Sequence, residues 1–292
     1  MSASIDLAVL GGSGFYEMPG LERVEEIAVD TPFGSPSDAI RLGTLDGKRV
    51  AFLARHGRNH TLLPSELPQR ANFWALKSLG VKRVLAVSAV GSLREDYRPG
   101  DMVVPDQIID RTRGDRPATF FGRGVVAHVG FAEPYCPEMR CAVGAAAAAT
   151  GAPVRDGGSY VVIEGPAFGT RAESEVYRSW GASVVGMTAL PEAKLAREAE
   201  ICYASMCAVT DYDSWHADHD AVDANTVFEV LRRNVDVSRA AVRKLIHLLP
   251  ATRGCGCGTT LDSALVTPPE AIDPAAFEVL RPIVERRIGG GR

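Results

Sequence analysis

The sequence predicts an α/β fold in which a mostly parallel sheet is sandwiched between helices. Short apolar strands alternate with helical patterns along the chain. Several of these strands, such as RVLAVSA at 83–89, are near-continuous apolar runs, the signature of a strand covered on both faces. The helical stretches between them carry their own start and stop signals.

Taken in order, IDLAVL (5–10) and RVAFLA (49–54) are the first strands. Ser65 is placed to cap a helix that runs through ANFWALKSLG and stops at Gly80. RVLAVSA (83–89), DMVVP (101–105) and YVVIEG (160–165) continue the sheet. TRAESEVYRSWG opens on a capping box, Thr170 with Glu173, and ends at Gly181. SVVGM (183–187) leads to a helix with Pro191 in its first turn, and YASMCAVT (203–210) is the last strand. Residues 225–249 form a long amphipathic helix that ends at Pro250. The Gly/Pro-rich tail over 251–292 is weakly patterned and is expected to pack on the domain or on a neighbouring subunit.

The 292 residues fit one large domain or two small ones, with ample chain for a core. Hydrophobic residues at 46%, charged residues at 23% and a net charge of −4 give no reason to expect a nucleic-acid or membrane partner. The opening MSASIDLAVLGG carries an acid and too short an apolar run for a signal peptide or a span, so a cytoplasmic protein is expected. Its six cysteines are then reduced thiols. Cys202 and Cys207 lie in an apolar stretch and read as small core residues. GCGCG (254–258) can bind metal or act in redox chemistry, but no second cysteine or histidine pair lies near it in sequence. The expectation is therefore an exposed turn with two thiols, and no metal.

In such sheets ligands collect at the carboxyl ends of the strands. GGSG (11–14) follows the first strand, a tight turn with Ser13 and free backbone N–H groups that suit an anion. It lacks the third glycine of the dinucleotide fingerprint, and no phosphate loop of the GxxxxGK[ST] type occurs. ARHGRNH (54–60) follows the second strand, where Arg55 and His56 offer a planar donor fork and a tunable donor. SAVGS (88–92) adds Ser88, and Thr188 precedes a helix N-terminus. Together these describe a pocket for a phosphate-sized dianion.

Beside it, TDYDSWHADHD ends an apolar strand in two carboxylates, Asp211 and Asp213. On an extended chain they point to one side, towards a cation or a set of hydrogen-bond donors. With His216 or His219 they can also be read as metal ligands of a hydrolase, although the other strand ends supply anion binders and only His56 as a further histidine. Phe168, in IEGPAFGTRAES, is either a stacking platform for a purine or a core plug.

GGSGFY, RHGRNHTLLPS, RANFWALKSLG, AVGSLRE, PGDMVVPDQIIDRT, EGPAFGTRAES, GMTALPEAKLAREAEICYA and TDYDSWH occur in one order. Together they resemble the trimeric purine nucleoside phosphorylase family, in particular its 5′-methylthioadenosine branch, over roughly residues 6–249. The resemblance implies a nucleoside phosphorylase domain over 1–250, with a mixed, barrel-like sheet flanked by helices, and a homotrimer. It implies that inorganic phosphate, as co-substrate and without any cofactor, attacks C1′ of the nucleoside while the purine leaves. By the same likeness Ser13, Arg55, His56, Ser88, Thr188 and the Ala89 backbone hold phosphate, with His56 also counted among the catalytic groups. Met187 lies against the ribose, Phe168 near the base, and Asp211 and Asp213 at N7 and the 6-amino group. His128 of a neighbouring subunit closes the 5′ pocket with Ala224, Val227 and Phe228.

Two close carboxylates do not both ionise easily, so one keeps a proton for the departing purine and the other accepts from a 6-amino group. A 6-oxo purine would leave an acceptor facing an acceptor, at about 1–3 kcal/mol. This chain departs from the family at Gly169, where serine is usual, at Val90 for cysteine, at Pro68 for asparagine, and at Phe228 for leucine. The altered 5′ wall leaves 5′-halogenated 5′-deoxyadenosines open as substrates, and a 6-oxopurine or methylthioinosine phosphorylase is the further alternative. Hydrolysis with water in place of phosphate and nucleoside binding without turnover are the competing classes.

Overall fold

The computed structural model describes residues 5–12, 18–114, 116–216 and 224–289, with backbone alone over 224–233. The strands are β1 (Leu7–Gly11), β2 (Glu22–Ile27), β3 (Ile40–Leu45), β4 (Lys48–Ala54), β5 (Arg83–Ser92), β6 (Met102–Val104), β7 (Gln107–Arg111), β8 (Val154–Asp156), β9 (Ser159–Ile163), β10 (Val184–Gly186) and β11 (Cys202–Asp211). The helices are α1 (Gln69–Ser78), α2 (Pro137–Ala148), α3 (Arg171–Ser179), α4 (Ala189–Glu198), α5 (Ala224–Leu248), α6 (Leu261–Ala264) and α7 (Pro274–Ile288).

The strands form one sheet in the order β2-β3-β4-β1-β5-β10-β9-β7, with β11 carried on β5 and leading through β6 to β8. The sheet is mixed, as the resemblance implies: six strand pairings are parallel, and β2/β3, β3/β4, β5/β10 and β6/β11 are antiparallel. One source of the antiparallel pairing is the hairpin turn at Asp46 and Gly47, both at positive φ, as an Asp-Gly turn between strands requires.

β5 organises the site. Its first half pairs parallel with β1, Arg83 to Gly91 pair parallel with β11, and its last residues pair antiparallel with β10. β11 is buried along nearly its whole length, and its alternate residues feed two cores. Tyr203, Cys207 and Val209 join the cluster that also holds Leu76 of α1, Leu195 of α4 and Leu280 of α7. Cys202, Ala204, Met206 and Ala208 join the cluster with Val143 of α2 and Leu245 of α5. Both faces of the strand are thus covered by helices, as its continuous apolar run requires.

One helix boundary differs from the sequence expectation. Ser65 does not cap α1; Pro68 stands at the N-cap, with no side-chain bond to the first turn. Leu190 is non-helical inside α4, so the regular helix begins at Pro191, as its first-turn proline predicts. The capping box of α3 forms, with Thr170 Oγ1 accepting from Glu173 N and Glu173 accepting from Thr170 N. Beyond Pro250 the chain is more regular than its composition implies. α7 buries Phe277, Leu280, Ile283 and Val284, and Arg286 pairs with the buried Glu200 at 2.5 Å. No described helix is long and apolar enough to cross a membrane.

Candidate active site

A cavity of about 360 Å³ opens where β1, β4, β10 and β11 end and where β5 passes Ser88–Gly91. Arg55, His56, Ser88, Ala89, Thr188, Phe168, Met187, Asp211 and Asp213 line it, and along β5 Ser88 lies three residues, roughly 10 Å, before Gly91, against which both acids pack.

The two carboxylates meet by a turn rather than by strand alternation. Asp211 is the last residue of β11, but Asp213 begins a 3₁₀ turn with φ of +52°, so the extended-chain argument does not hold here. A register shift between Val209 and Asp211 sets Asp211 opposite Gly91. Asp213 N donates to Asp211 Oδ1 at 2.8 Å, an aspartate turn that fixes the pair. Thr210 Oγ1 donates to Asp211 Oδ2 at 2.7 Å, and Ser174 Oγ, from α3, donates to Asp213 Oδ2. Gly91 makes the room: a Cβ there would lie 2.9 Å from Asp211 Oδ1 and 3.1 Å from Asp213 Cβ.

Burial raises the pKa of both acids. For Asp213 the neighbouring Asp211 charge adds to burial, whereas hydrogen bonds from Thr210 and the Asp213 N–H favour the ionised form of Asp211. Bonds from Ser174 Oγ and the Ser214 N–H favour the ionised form of Asp213 in the same way, so the pair holds one shared proton more readily than two charges. Among the described residues no third metal-type ligand joins the pair; His216 instead lies 3.3 Å from Glu95.

Ser88 Oγ and Thr188 Oγ1 are 3.1 Å apart and both buried. Arg55 is 1% exposed, and most of its fork is already committed. Its Nε donates to Glu192, Nη2 to Glu192 Oε2 and Leu10 O, and Nη1 to Val87 O. Of its five N–H groups one, on Nη1, has no partner among the described residues. His56 Nδ1 lies 2.8 Å from Leu62 O, and a carbonyl only accepts, so Nδ1 carries the hydrogen. Burial, with Arg55 nearby, brings the His56 pKa down to about 4. At neutral pH its Nε2 is bare, and it becomes a donor to an anion only by taking up a proton.

Phe168 is 43% exposed on the cavity wall, which makes it a platform and not a core plug. The cavity lining does not include His128, which is exposed on this chain with its N–H bonded to Ala264 O. Ser13 and His219, and the side chains of Ala224, Val227 and Phe228, lie outside the described residues. Gly169 backs onto Asp213: a Cβ there would meet nothing closer than 3.9 Å.

The phosphorylase superfamily, as a family model, matches residues 6–247. The chain belongs to this superfamily. The S-methyl-5′-thioadenosine phosphorylase of Chloroflexus aurantiacus is 55% identical to it, over 97% of this chain and 98% of that protein. The enzyme of the same name from Koribacter versatilis is 51% identical, over 97% of each chain. Among solved structures, a methylthioadenosine phosphorylase from an antarctic soil metagenomic library superposes with a TM-score of 0.91 at 46% identity, covering 96% of this chain and 99% of that one. The methylthioadenosine phosphorylase of Schistosoma mansoni in complex with adenine gives 0.82 at 34% identity, covering 96% and 99%.

Within this superfamily chain, several supporting residues carry no local sequence signal. Glu192 is fully buried and holds Arg55, with Tyr203 Oη donating to it at 2.8 Å. Arg116 clamps the cavity wall, donating to Glu164 Oε1 at 2.6 Å and to Met187 O at 2.5 Å. Ser174 was visible only as a helix residue, and its approach to Asp213 spans 39 positions of sequence.

One expectation is overturned away from this cavity. Cys257 is buried and Cys255 half-buried, so the C-x-C is not an exposed turn. Folding brings both to Cys136 and Cys202, supplying the second cysteine pair that no neighbouring sequence offered. Cys207 does lie in the core.

Proposed function

We propose that the chain catalyses phosphorolysis of 5′-methylthioadenosine to adenine and 5-methylthioribose 1-phosphate. The observation that carries this is the placement of a proton-sharing acid pair in one cavity with hydroxyls, an arginine and a histidine. The relatives' names fit the same reaction.

Phosphate sits against the Ser88 and Thr188 hydroxyls, the Ala89 N–H and the remaining Arg55 N–H, with Ser13 completing the cradle. Because Glu192 already balances Arg55, added negative charge here draws a proton onto His56 Nε2, which then donates to the phosphate. The dianion attacks C1′ as the glycosidic bond lengthens, and its charge stabilises the oxocarbenium-like sugar. Met187 packs against the ribose, and Phe168 against the base. Negative charge grows on the leaving purine, and Asp213 gives the shared proton towards N7 as general acid. Asp211 accepts from the 6-amino group. No cofactor or metal takes part. His128 of a neighbouring subunit, with Ala224, Val227 and Phe228, closes the 5′ end of a homotrimer's site, and the enzyme works in the cytoplasm on small molecules alone.

The test is purine release from 5′-methylthioadenosine and from inosine, each with and without phosphate. The reading expects fast, phosphate-dependent turnover of the first and near-inertness of inosine. It also expects Asp213→Asn to lower kcat by about 10²–10⁴. Phosphate-independent release, or inosine cleaved as fast, would overturn it.

A further inference from the structure

The four thiols of Cys136, Cys202, Cys255 and Cys257 come from three distant parts of the chain, and their sulfurs all lie within 4.8 Å of one another. Three of the residues are buried and the fourth half-buried, and none is in a disulfide. The Cys202 and Cys255 sulfurs are 3.4 Å apart. Sulfurs bound tetrahedrally to zinc at about 2.3 Å stand about 3.8 Å from one another, while a disulfide bond is only about 2 Å long. The cluster thus has the spacing of a ligand shell.

Its surroundings suit thiolates. Cys136 is the N-cap of α2, and its sulfur accepts from Met139 N at 3.5 Å, at the positive end of a 12-residue helix. Cys255 is the N-cap of a 3₁₀ turn, Gly256–Thr259, which carries Cys257 round to the same point. Gly254 N is anchored to Glu138 Oε2 at 2.6 Å, which ties the segment to α2.

We propose that these four cysteines form a structural site for a soft divalent cation, zinc first, that staples the C-terminal segment to β11 and α2. Binding releases four thiol protons and leaves a site of net charge −2, which the α2 N-terminus partly offsets. The cluster sits at the amino end of β11 and the acid pair at its carboxyl end, nine residues or roughly 30 Å away. The metal therefore has no part in the reaction chemistry, and the inference stands apart from the proposed function.

The experiment measures metal content and cobalt spectra on the full chain, purified under reductant with zinc supplied. The expected result is about one zinc per chain. Exchange for Co²⁺ should give the near-ultraviolet thiolate-to-cobalt band and the visible bands of a tetrahedral site. The Cys255→Ser/Cys257→Ser double variant should bind at least tenfold less metal, while Cys141→Ser, at an exposed position on α2, keeps the wild-type content. Should the double variant fail to fold, the cobalt spectrum of the wild type decides alone. Absence of bound zinc and of the cobalt bands in reduced protein would overturn the proposal. So would a denatured mass lower by the hydrogens of one or two disulfides in protein isolated without reductant, since the thiols would then be consumed in bonds to one another.

Discussion

Replacing Glu192 by glutamine removes a charge and leaves the volume unchanged, so no cavity complicates the result. The Glu192 carboxylate accepts from Arg55 Nε and Nη2, from Gln69 Nε2 at 3.3 Å and from Tyr203 Oη at 2.8 Å. A glutamine has one acceptor oxygen, and its NH₂ would face groups that are mostly donors. Arg55, 1% exposed, would become a buried charge without its counter-ion. Breaking such a pair from one side costs about 3–5 kcal/mol. With about 2.1 cal/mol/K of unfolding entropy per residue over 292 residues, that cost lowers Tm by about 5–8 °C. Arg55 also loses the anchor that aims its remaining N–H into the cavity, so KM for phosphate should rise more than KM for the nucleoside. Thermal unfolding in phosphate-free buffer and steady-state kinetics with each substrate varied read both effects. A variant that melts within about 1 °C of the wild type, with its phosphate KM unchanged, would refute the reasoning.

Gly91→Ala places a Cβ 2.9 Å from Asp211 Oδ1, so the acid pair must shift, and kcat should fall by about 10–100-fold with folding largely retained; kinetics beside thermal unfolding check it. His56 titrates near 6.5 unfolded but at about 4 when folded, because of burial. The folded chain binds fewer protons there, so this contribution is present above 6.5 and is lost as pH falls through 6.5 towards 4. That interval corresponds to about 3 kcal/mol, and urea unfolding of wild type against His56→Asn in phosphate-free buffer should diverge by this order across it. Asp211 and Asp213, whose pKa values are raised, work in the opposite sense: their contribution weakens as pH rises above the ordinary carboxylate range.

The strands read from sequence were those buried on both faces, where composition alone is diagnostic. The missed ones lack that signal. β2 is an exposed, charged edge, β8 is three residues long, and β3 is interrupted by Gly43, whose Cβ would strike Leu21. α2 is Ala-rich and too weakly amphipathic to announce itself, and α7 carries an internal proline. In the cavity, residue types at strand ends were legible because polar groups are out of place after apolar runs. Their partners were not. Glu192 lies 137 positions from Arg55, and the four clustered cysteines span 136 to 257, so only the fold juxtaposes them. The meeting of Asp211 and Asp213 was foreseen, but its cause is a turn at Asp213 and a gap at Gly91 rather than strand periodicity.

Phosphate consumption followed by ³¹P NMR during turnover of 5′-methylthioadenosine, with adenine release recorded in parallel, tests the central claim most directly. The account predicts that one inorganic phosphate disappears for each adenine released and that its signal is replaced by that of a sugar 1-phosphate. Adenine release with the inorganic phosphate signal undiminished would contradict it, because water would then be the nucleophile and the anion-binding groups of the cavity would have another use.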